Sequence, residues 1–298
     1  MRLFVPAAIL LLAAGLAAAQ DKKDEKKDKE VEKLLGEIEA AMKDRKYADV
    51  VPLAKKLAEV DPKNPAAPLA AATAHTSLRQ NEEAAKAWTK LLEIEPKAVR
   101  AYDSRGDAYH KMGKFKEAIA DFDEYLKHDP KFAPDHWRRG IALYYAGRFK
   151  DGVEQFELHR KVNPEDVENS AWHYLCNARA NTPKKAREDL IPVTKDTRVP
   201  MNKVLELFAG KIKPKDVLDA AEGAKLKDEE LKEARFYANL YVALFYESEG
   251  DAKKCQEHLT AAVEKYKIGH YMWDVADVHL KGLKQGGGGK GEGGKDGK

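Results

Sequence analysis

The chain has 298 residues, and its 53 basic side chains nearly balance its 50 acidic ones. A net charge of +3 gives no reason to expect nucleic acid or an anionic membrane surface as the main partner. Two cysteines are too few for a disulfide framework in a chain of this length, so we expect separate buried thiols at Cys176 and Cys255.

Residues 1–19 are typical of a secretory signal peptide, with one basic residue, an apolar run and a small-residue end. The pattern predicts cleavage after Ala19. The alternative is an uncleaved anchor, but the apolar run is short for a membrane span. Leu16 stands where a lipoprotein signal would carry its acylated cysteine. We therefore predict an exported protein, periplasmic or secreted, with no stable membrane anchor.

Two segments of biased composition flank the predicted fold. Residues 20–30 are almost entirely charged and predict a solvated linker. Residues 284–298 are a glycine- and lysine-rich stretch, which predicts a disordered tail because it has nothing to bury. The folded part is therefore expected within residues 31–283.

Prolines recur through the first half of this part at a fixed interval. Pro62, Pro96, Pro130 and Pro164 are 34 residues apart, and each follows a short polar or acidic residue. Because proline cannot continue a helix, each one is expected to close a unit. The period predicts four two-helix units over residues 31–164.

Small residues occupy two positions of each unit, where paired helices must approach closely. In the second to fourth units these are Ala72, Gly106 and Gly140 on the first helix, and Ala84, Ala118 and Gly152 on the second. Large side chains follow one turn after the second position, and Gly113 and Gly147 stand at the turns. With its 34-residue period, this pattern resembles the tetratricopeptide repeat (TPR) family. The resemblance implies an all-α fold, a right-handed superhelical TPR solenoid of antiparallel helix pairs.

The first and last parts of the array depart from the pattern. The first unit is atypical, with Ile38 and Val50 at the small positions and Pro52 inside its second helix. Residues 165–230 lose the period and predict an irregular helical insert. Residues 231–283 restore it and predict a fifth TPR-like unit, turning at Gly250, followed by a capping helix.

The order of elements outside the repeats resembles that of the NlpI-like periplasmic TPR adaptor proteins. It consists of four repeats, a helix with the letters WHYL, the segment VLELFAGKI and a repeat rich in aromatic residues. The resemblance implies a dimeric adaptor that brings peptidoglycan hydrolases to a processing protease. This chain differs at Leu16, which removes the lipid anchor of that family.

No motif for catalysis or cofactor binding is present. The nine histidines form no HExxH motif and no pair with zinc-ligand spacing, and neither CxxC, GxSxG nor SxxK occurs. Carboxylates are spread along all the helices, so no acid–base pair can be singled out. We expect neither a metal, nor a cofactor, nor enzyme activity.

The differences between units indicate where a partner would bind. In this repeat class the first helices line a concave groove, and the candidate partner-binding residues are Arg100, Asp103, Asp107, His110, Lys111, Trp137, Arg138, Ile141, Tyr144 and Tyr145. Trp137, Ile141 and Tyr144 form an apolar stripe at helical spacing. The stripe either receives a partner's apolar segment or packs under the carboxy-terminal helices. The lysine and asparagine of a carboxylate clamp are missing.

These patterns predict an exported scaffold or adaptor that binds a protein or peptide in its groove, with a role in bacterial cell-envelope or peptidoglycan maintenance. A homodimer is compatible with the resemblance. One alternative is an envelope-assembly factor that handles no hydrolase. The other is a non-catalytic subunit of an envelope enzyme complex.

Overall fold

The computed structural model describes residues 7–285, with side chains from residue 25 onward. Over these residues the chain forms α-helices, one 3₁₀ turn and one π-helical turn, and no strand. The all-α prediction is therefore confirmed. The start of the predicted signal peptide (residues 1–6) and residues 286–298 of the predicted tail lie outside the described residues.

The chain divides into two compact units, Met1–Ala108 and Tyr109–Lys298. The helices of the first unit are α1 (Ala7–Lys43), α2 (Tyr47–Val60), α3 (Ala66–Ser77), α4 (Asn81–Ile94) and most of α5 (Val99–Lys111). Helix α1 packs against α2, α2 against α3, and α3 against α4. Leu34, Val50 and Leu57 are buried at the centre of a core that otherwise consists largely of alanine side chains.

Residues 20–30, predicted as a charged linker, belong to α1. Opposite charges one turn apart support a helix here, as in the 2.7 Å ion pair between Lys29 Nζ and Glu25 Oε1. Lys27 also reaches Asp61 at the end of α2, at 3.1 Å. The side chains of residues 25–30 are all exposed.

The second unit contains ten further helices. They are α6 (Phe115–His128), α7 (Trp137–Tyr145), α8 (Phe149–His159), α9 (Val167–Ala180), α10 (Pro183–Glu188), α11 (Met201–Phe208), α12 (Pro214–Gly223), α13 (Asp228–Ser248), α14 (Ala252–Thr260) and α15 (Tyr271–Lys284). Helix α9 lies at the centre, in contact with α7, α8, α10, α11 and α13. Eleven of its 14 residues are buried, as expected for a helix covered on all sides.

The turns between paired helices repeat with the same period as the prolines. Arg45, Arg79, Gly113 and Gly147 all have positive φ, between 56° and 75°. The prediction that Gly113 and Gly147 occupy left-handed turns is confirmed. Gly250 has the same conformation, at φ 81°, between α13 and α14.

The small residues allow close approach, as predicted. A Cβ added to Gly140 on α7 would lie 2.6 Å from Cζ of Phe156 on α8. One added to Gly152 would lie 2.6 Å from Sγ of Cys176 on α9. Cys176 and Cys255 are both free and fully buried.

Candidate functional site

A cavity of about 570 Å³ lies within the second unit. We name it the α7–α9 cavity. Its lining consists of Asp135, Trp137, Ile141, Phe156, His159, Val162, Asn163, Asp166, Glu168, Asn169, Trp172, Arg198, His270 and Met272. These residues come from α7, α8, α9, the segment before α7, the connection between α8 and α9, the segment before α11 and the start of α15.

Two residues of the predicted stripe form part of the cavity wall. Trp137 begins α7, where the side chain of the N-cap residue His136 accepts a hydrogen bond from Arg139 N. The Trp137 ring packs edge-on against the Tyr271 ring, with 5.0 Å between the two centroids. Ile141 follows one turn later and is 1% exposed. The start of α7 thus supplies an aromatic and an aliphatic surface.

The opposite wall is acidic and is organised by Arg198. Its Nη1 donates to Oε1 of Glu168 at 2.7 Å, and its Nη2 donates to Oδ1 of Asp166 at 2.7 Å. The same guanidinium also bonds to the buried carboxylate of Asp196, at 2.6 Å. Asp166 caps α9 by accepting from Glu168 N at 3.1 Å. Arg198 is therefore held by three carboxylates.

Burial sets the electrostatics of this wall. It raises the pKa of the Glu168 carboxyl, as does the neighbouring Asp166 charge, whereas Arg198 and the Tyr241 hydroxyl act in the opposite direction. Burial also acts to raise the pKa of Asp196, but hydrogen bonds and charge from Arg198 outweigh it and leave that pKa lowered. The network therefore keeps Asp196 ionised beside the cavity.

The rim of the cavity is partly apolar. Val162 lines it with 49% of its surface exposed. Val199, which follows Arg198 in the chain, is 37% exposed.

Two polar atoms of the lining residues have no hydrogen-bond partner among the described residues. They are Oδ1 of Asn169 and Nε1 of Trp172, in side chains that are 3% and 2% exposed. The Asn169 amide nitrogen, by contrast, donates to Phe156 O at 3.2 Å. Buried polar atoms are nearly always paired, so these two atoms are exceptions within the residues that line the cavity.

The rest of the predicted stripe lies in the interior. Tyr144 is 3% exposed, and its hydroxyl donates to Oε2 of Glu247 on α13 at 2.8 Å. The Tyr145 hydroxyl lies 3.2 Å from Nδ1 of His279 on α15. His110 is fully buried, with its ring 5.7 Å from that of Tyr271. The sequence left open whether the stripe receives a partner or packs under the carboxy-terminal helices. In the structure Tyr144 is covered by such a helix, whereas Trp137 lines a cavity.

The other predicted residues do not line the cavity. Lys111 Nζ lies 5.3 Å from the centroid of the Tyr271 ring. The guanidinium carbon of Arg138 lies 5.7 Å from the centroid of the Phe122 ring. In the first unit, Arg100 is exposed, Asp103 is half-buried and Asp107 is buried. Partner binding by these residues stays a prediction.

Sequence reasoning missed most of the acidic wall. Asp166 carried a usable signal, since an aspartate directly before an apolar-periodic helix is a typical N-cap. Arg198 carried none, because it lies in a segment without regular structure between α10 and α11.

The described residues contain no group of three or more histidine, cysteine or acidic side chains that could hold a metal ion. Over the same part of the chain, no helix combines the length and apolar character needed to cross a membrane.

Comparison with known proteins agrees with the helix-pair architecture. Residues 99–132 match the family model for the tetratricopeptide repeat. A tetratricopeptide repeat protein from Parabacteroides merdae superposes with a TM-score of 0.56 at 15% identity, covering 85% of this chain and 98% of its own. MamA protein superposes with a TM-score of 0.50 at 12% identity, covering 67% of this chain and 97% of its own. No curated protein matches the sequence.

The fold is that of an all-α helical-repeat protein. Its helices form antiparallel pairs, their turns recur every 34 residues, and small residues lie where the paired helices cross. Residues 99–132 match a tetratricopeptide repeat, and the fold of the chain is similar to that of a solved tetratricopeptide-repeat protein. At these identities the structural similarity concerns the fold alone.

Proposed function

We propose that this protein is a scaffold that binds a segment of a partner protein in the α7–α9 cavity. The observation that carries the proposal is the position of Trp137 and Ile141, two predicted groove residues, in the wall of a cavity with exposed Val162 on its rim. Aromatic side chains in such partly covered pockets are typical anchors of protein interfaces. The cavity volume of about 570 Å³ lies within the range of roughly 300–1,000 Å³ that is usual for ligand pockets.

Affinity capture from the native extract tests this function. Wild type should retain a partner that Val162→Asn loses, because the substitution removes apolar rim surface from a position outside the core. Trp137→Ala should act in the same direction, with circular dichroism as the check on folding. Glu154→Gln, at an exposed position of α8 outside the cavity lining, is the control. Capture that is equal for all four proteins would contradict the proposal.

We also propose export, with removal of residues 1–19, and a role in the bacterial cell envelope. The signal-like sequence and the resemblance to NlpI-like adaptors support this proposal. Amino-terminal sequencing of the mature protein should begin at Gln20, and Met1 at the amino terminus would contradict cleavage.

The scaffold should show no hydrolysis of peptidoglycan or peptides when pure. We also propose a homodimer, and analytical sedimentation of the purified protein tests it.

A further inference from the structure

The walls of the α7–α9 cavity carry an excess of negative charge. Asp135, Asp166 and Glu168 line it, and Asp196 lies directly behind, against the single guanidinium of Arg198. Four carboxylates therefore face one permanent cation. The adjoining surface adds Lys195 and Glu165, which cancel.

Arg198 is not available to neutralise a ligand of negative charge. It already bonds to Asp166, Glu168 and Asp196 at 2.6 to 2.7 Å. An incoming anion could reach only the remaining exposed edge of the guanidinium, where the three carboxylates around it would repel the added negative charge. The acidic wall thus disfavours anionic segments.

Asp135 is the carboxylate most open to a ligand. It is exposed and lines the cavity two residues before Trp137. A cation held there would lie close in the chain to Trp137, another residue of the cavity lining, and aromatic rings attract cations through their faces.

We propose that the cavity recognises a partner segment in which a lysine or arginine stands next to a large apolar or aromatic side chain. The apolar side chain packs against Trp137, Ile141 and Met272, and the cation pairs with Asp135 at the rim. This inference rests on the proposed function and specifies its ligand chemistry.

A phage-displayed library of random peptides, panned on the immobilised full chain, provides the probe. Enriched peptides should place lysine or arginine within about two positions of tryptophan, phenylalanine or leucine. One enriched peptide and its twin, with each basic residue changed to glutamate, are then titrated by fluorescence anisotropy. The twin should bind at least about tenfold more weakly.

Two variants locate the contact. Asp135→Asn should weaken the basic peptide about two- to fivefold, as for an exposed ion pair, and should abolish most of its salt dependence. Val162→Asn should weaken the peptide and its twin by a similar factor, because it removes apolar contact without changing charge. Glu154→Gln carries the same charge change as Asp135→Asn and should have no effect.

The outcomes separate this inference from the proposed function. Enrichment of acidic or uncharged peptides that still require Val162 would overturn the ligand chemistry and leave the function standing. Peptides unaffected by Val162→Asn and Trp137→Ala would place their binding outside the cavity and overturn the inference, and capture from the extract that is equally unaffected would overturn the function as well. Failure to enrich any peptide would overturn the inference alone, since capture from the extract judges the function separately. If the protein self-associates and Val162→Asn abolishes this, a second copy of the chain is the occupant of the cavity. That result would also overturn the inferred ligand chemistry.

Discussion

Gly140 and Gly152 show how single residues set the helix crossings of the second unit. Gly140 leaves just enough room for the Phe156 ring, which is 1% exposed. Gly152 does the same for Cys176 on α9. Neither position has positive φ, so the requirement for glycine here comes from space and not from backbone conformation.

Gly140→Ala is expected to lower the free energy of unfolding by about 1–3 kcal/mol, because the added methyl group would overlap the Phe156 ring. Urea denaturation followed by circular dichroism measures the change. Gly282→Ala on α15 is the matched control, since nothing lies within 4 Å of its added Cβ. The control should keep or raise stability by up to about 1 kcal/mol, because alanine is the better helix former. Equal destabilisation of both variants would contradict the steric argument.

His279 links stability to pH. Burial lowers the pKa of its imidazole from the ordinary value of 6.5, and the nearby Glu247 only partly opposes this. Burial lowers the pKa of His173 and His258 as well. The unfolded chain therefore binds protons that the native chain takes up only at lower pH. The contribution of the neutral His279 to the free energy of unfolding is therefore fully present above pH 6.5, and it is lost as the pH falls through the lowered pKa of the native state.

His279→Gln should reduce this dependence. Urea midpoints at about pH 7.5 and about pH 5 should differ less in the variant than in wild type, because one of the titrating groups is gone. Glu168 acts in the opposite direction but is present in both proteins, so it cancels in the comparison. His128→Gln, at an exposed position of α6, serves as control. If the urea midpoint changed equally between the two pH values in all three proteins, the role of His279 would be refuted.

At the scale of elements, α2 contains a proline in its interior. Pro52 is the sixth residue of the helix and is exposed, so its ring contributes little packing. It cannot donate a backbone hydrogen bond to Ala48 O, and its ring crowds that carbonyl. Packing of α2 between α1 and α3 maintains the helix in spite of this residue.

Pro52→Ala is expected to stabilise the protein by up to about 3 kcal/mol through the restored hydrogen bond and better helix propensity. Pro68→Ala is the matched comparison. Pro68 lies in the first turn of α3, where no intrahelical bond is lost, and it is buried. That change should be neutral or destabilising. Thermal unfolding compares the two variants, and a gain in both or in neither would contradict the explanation.

The helix pairs were predictable because the repeat itself encodes them. The prolines predicted where paired helices end, and Gly113 and Gly147 predicted the left-handed turns. The cavity was only half predictable. Trp137 and Ile141 follow from helical spacing, whereas Arg198 reaches the cavity from an irregular segment about 60 residues away in the chain. Contacts of that kind depend on tertiary folding, which the local pattern does not describe.

At the scale of the whole molecule, the two units differ in the composition of their cores. In the core cluster formed by α1, α2 and α3 of the first unit, four of the eight buried residues are alanines. The cluster of the second unit contains Trp172, Tyr174 and Tyr241, all nearly or fully buried. Burying a large side chain contributes about 1.5–3 kcal/mol, and an alanine much less.

We therefore expect the first unit to open more readily than the second. Hydrogen exchange measured by mass spectrometry should be faster for peptides from α2, α3 and α4 than for peptides from α9 and α13. Exchange from the urea-unfolded chain supplies the intrinsic rates for normalisation. Equal protection of both sets would show that the whole chain opens as one cooperative unit.

The two buried cysteines also determine how the protein responds to reagents. Burial raises the pKa of both the Cys176 and the Cys255 thiols, and only thiolates attack maleimides and related compounds. The folded chain should therefore be inert to them. A cysteine introduced at an exposed position such as Val162 would be the one reactive thiol. Dyes or spin labels could then be placed at the cavity rim with both natural cysteines kept.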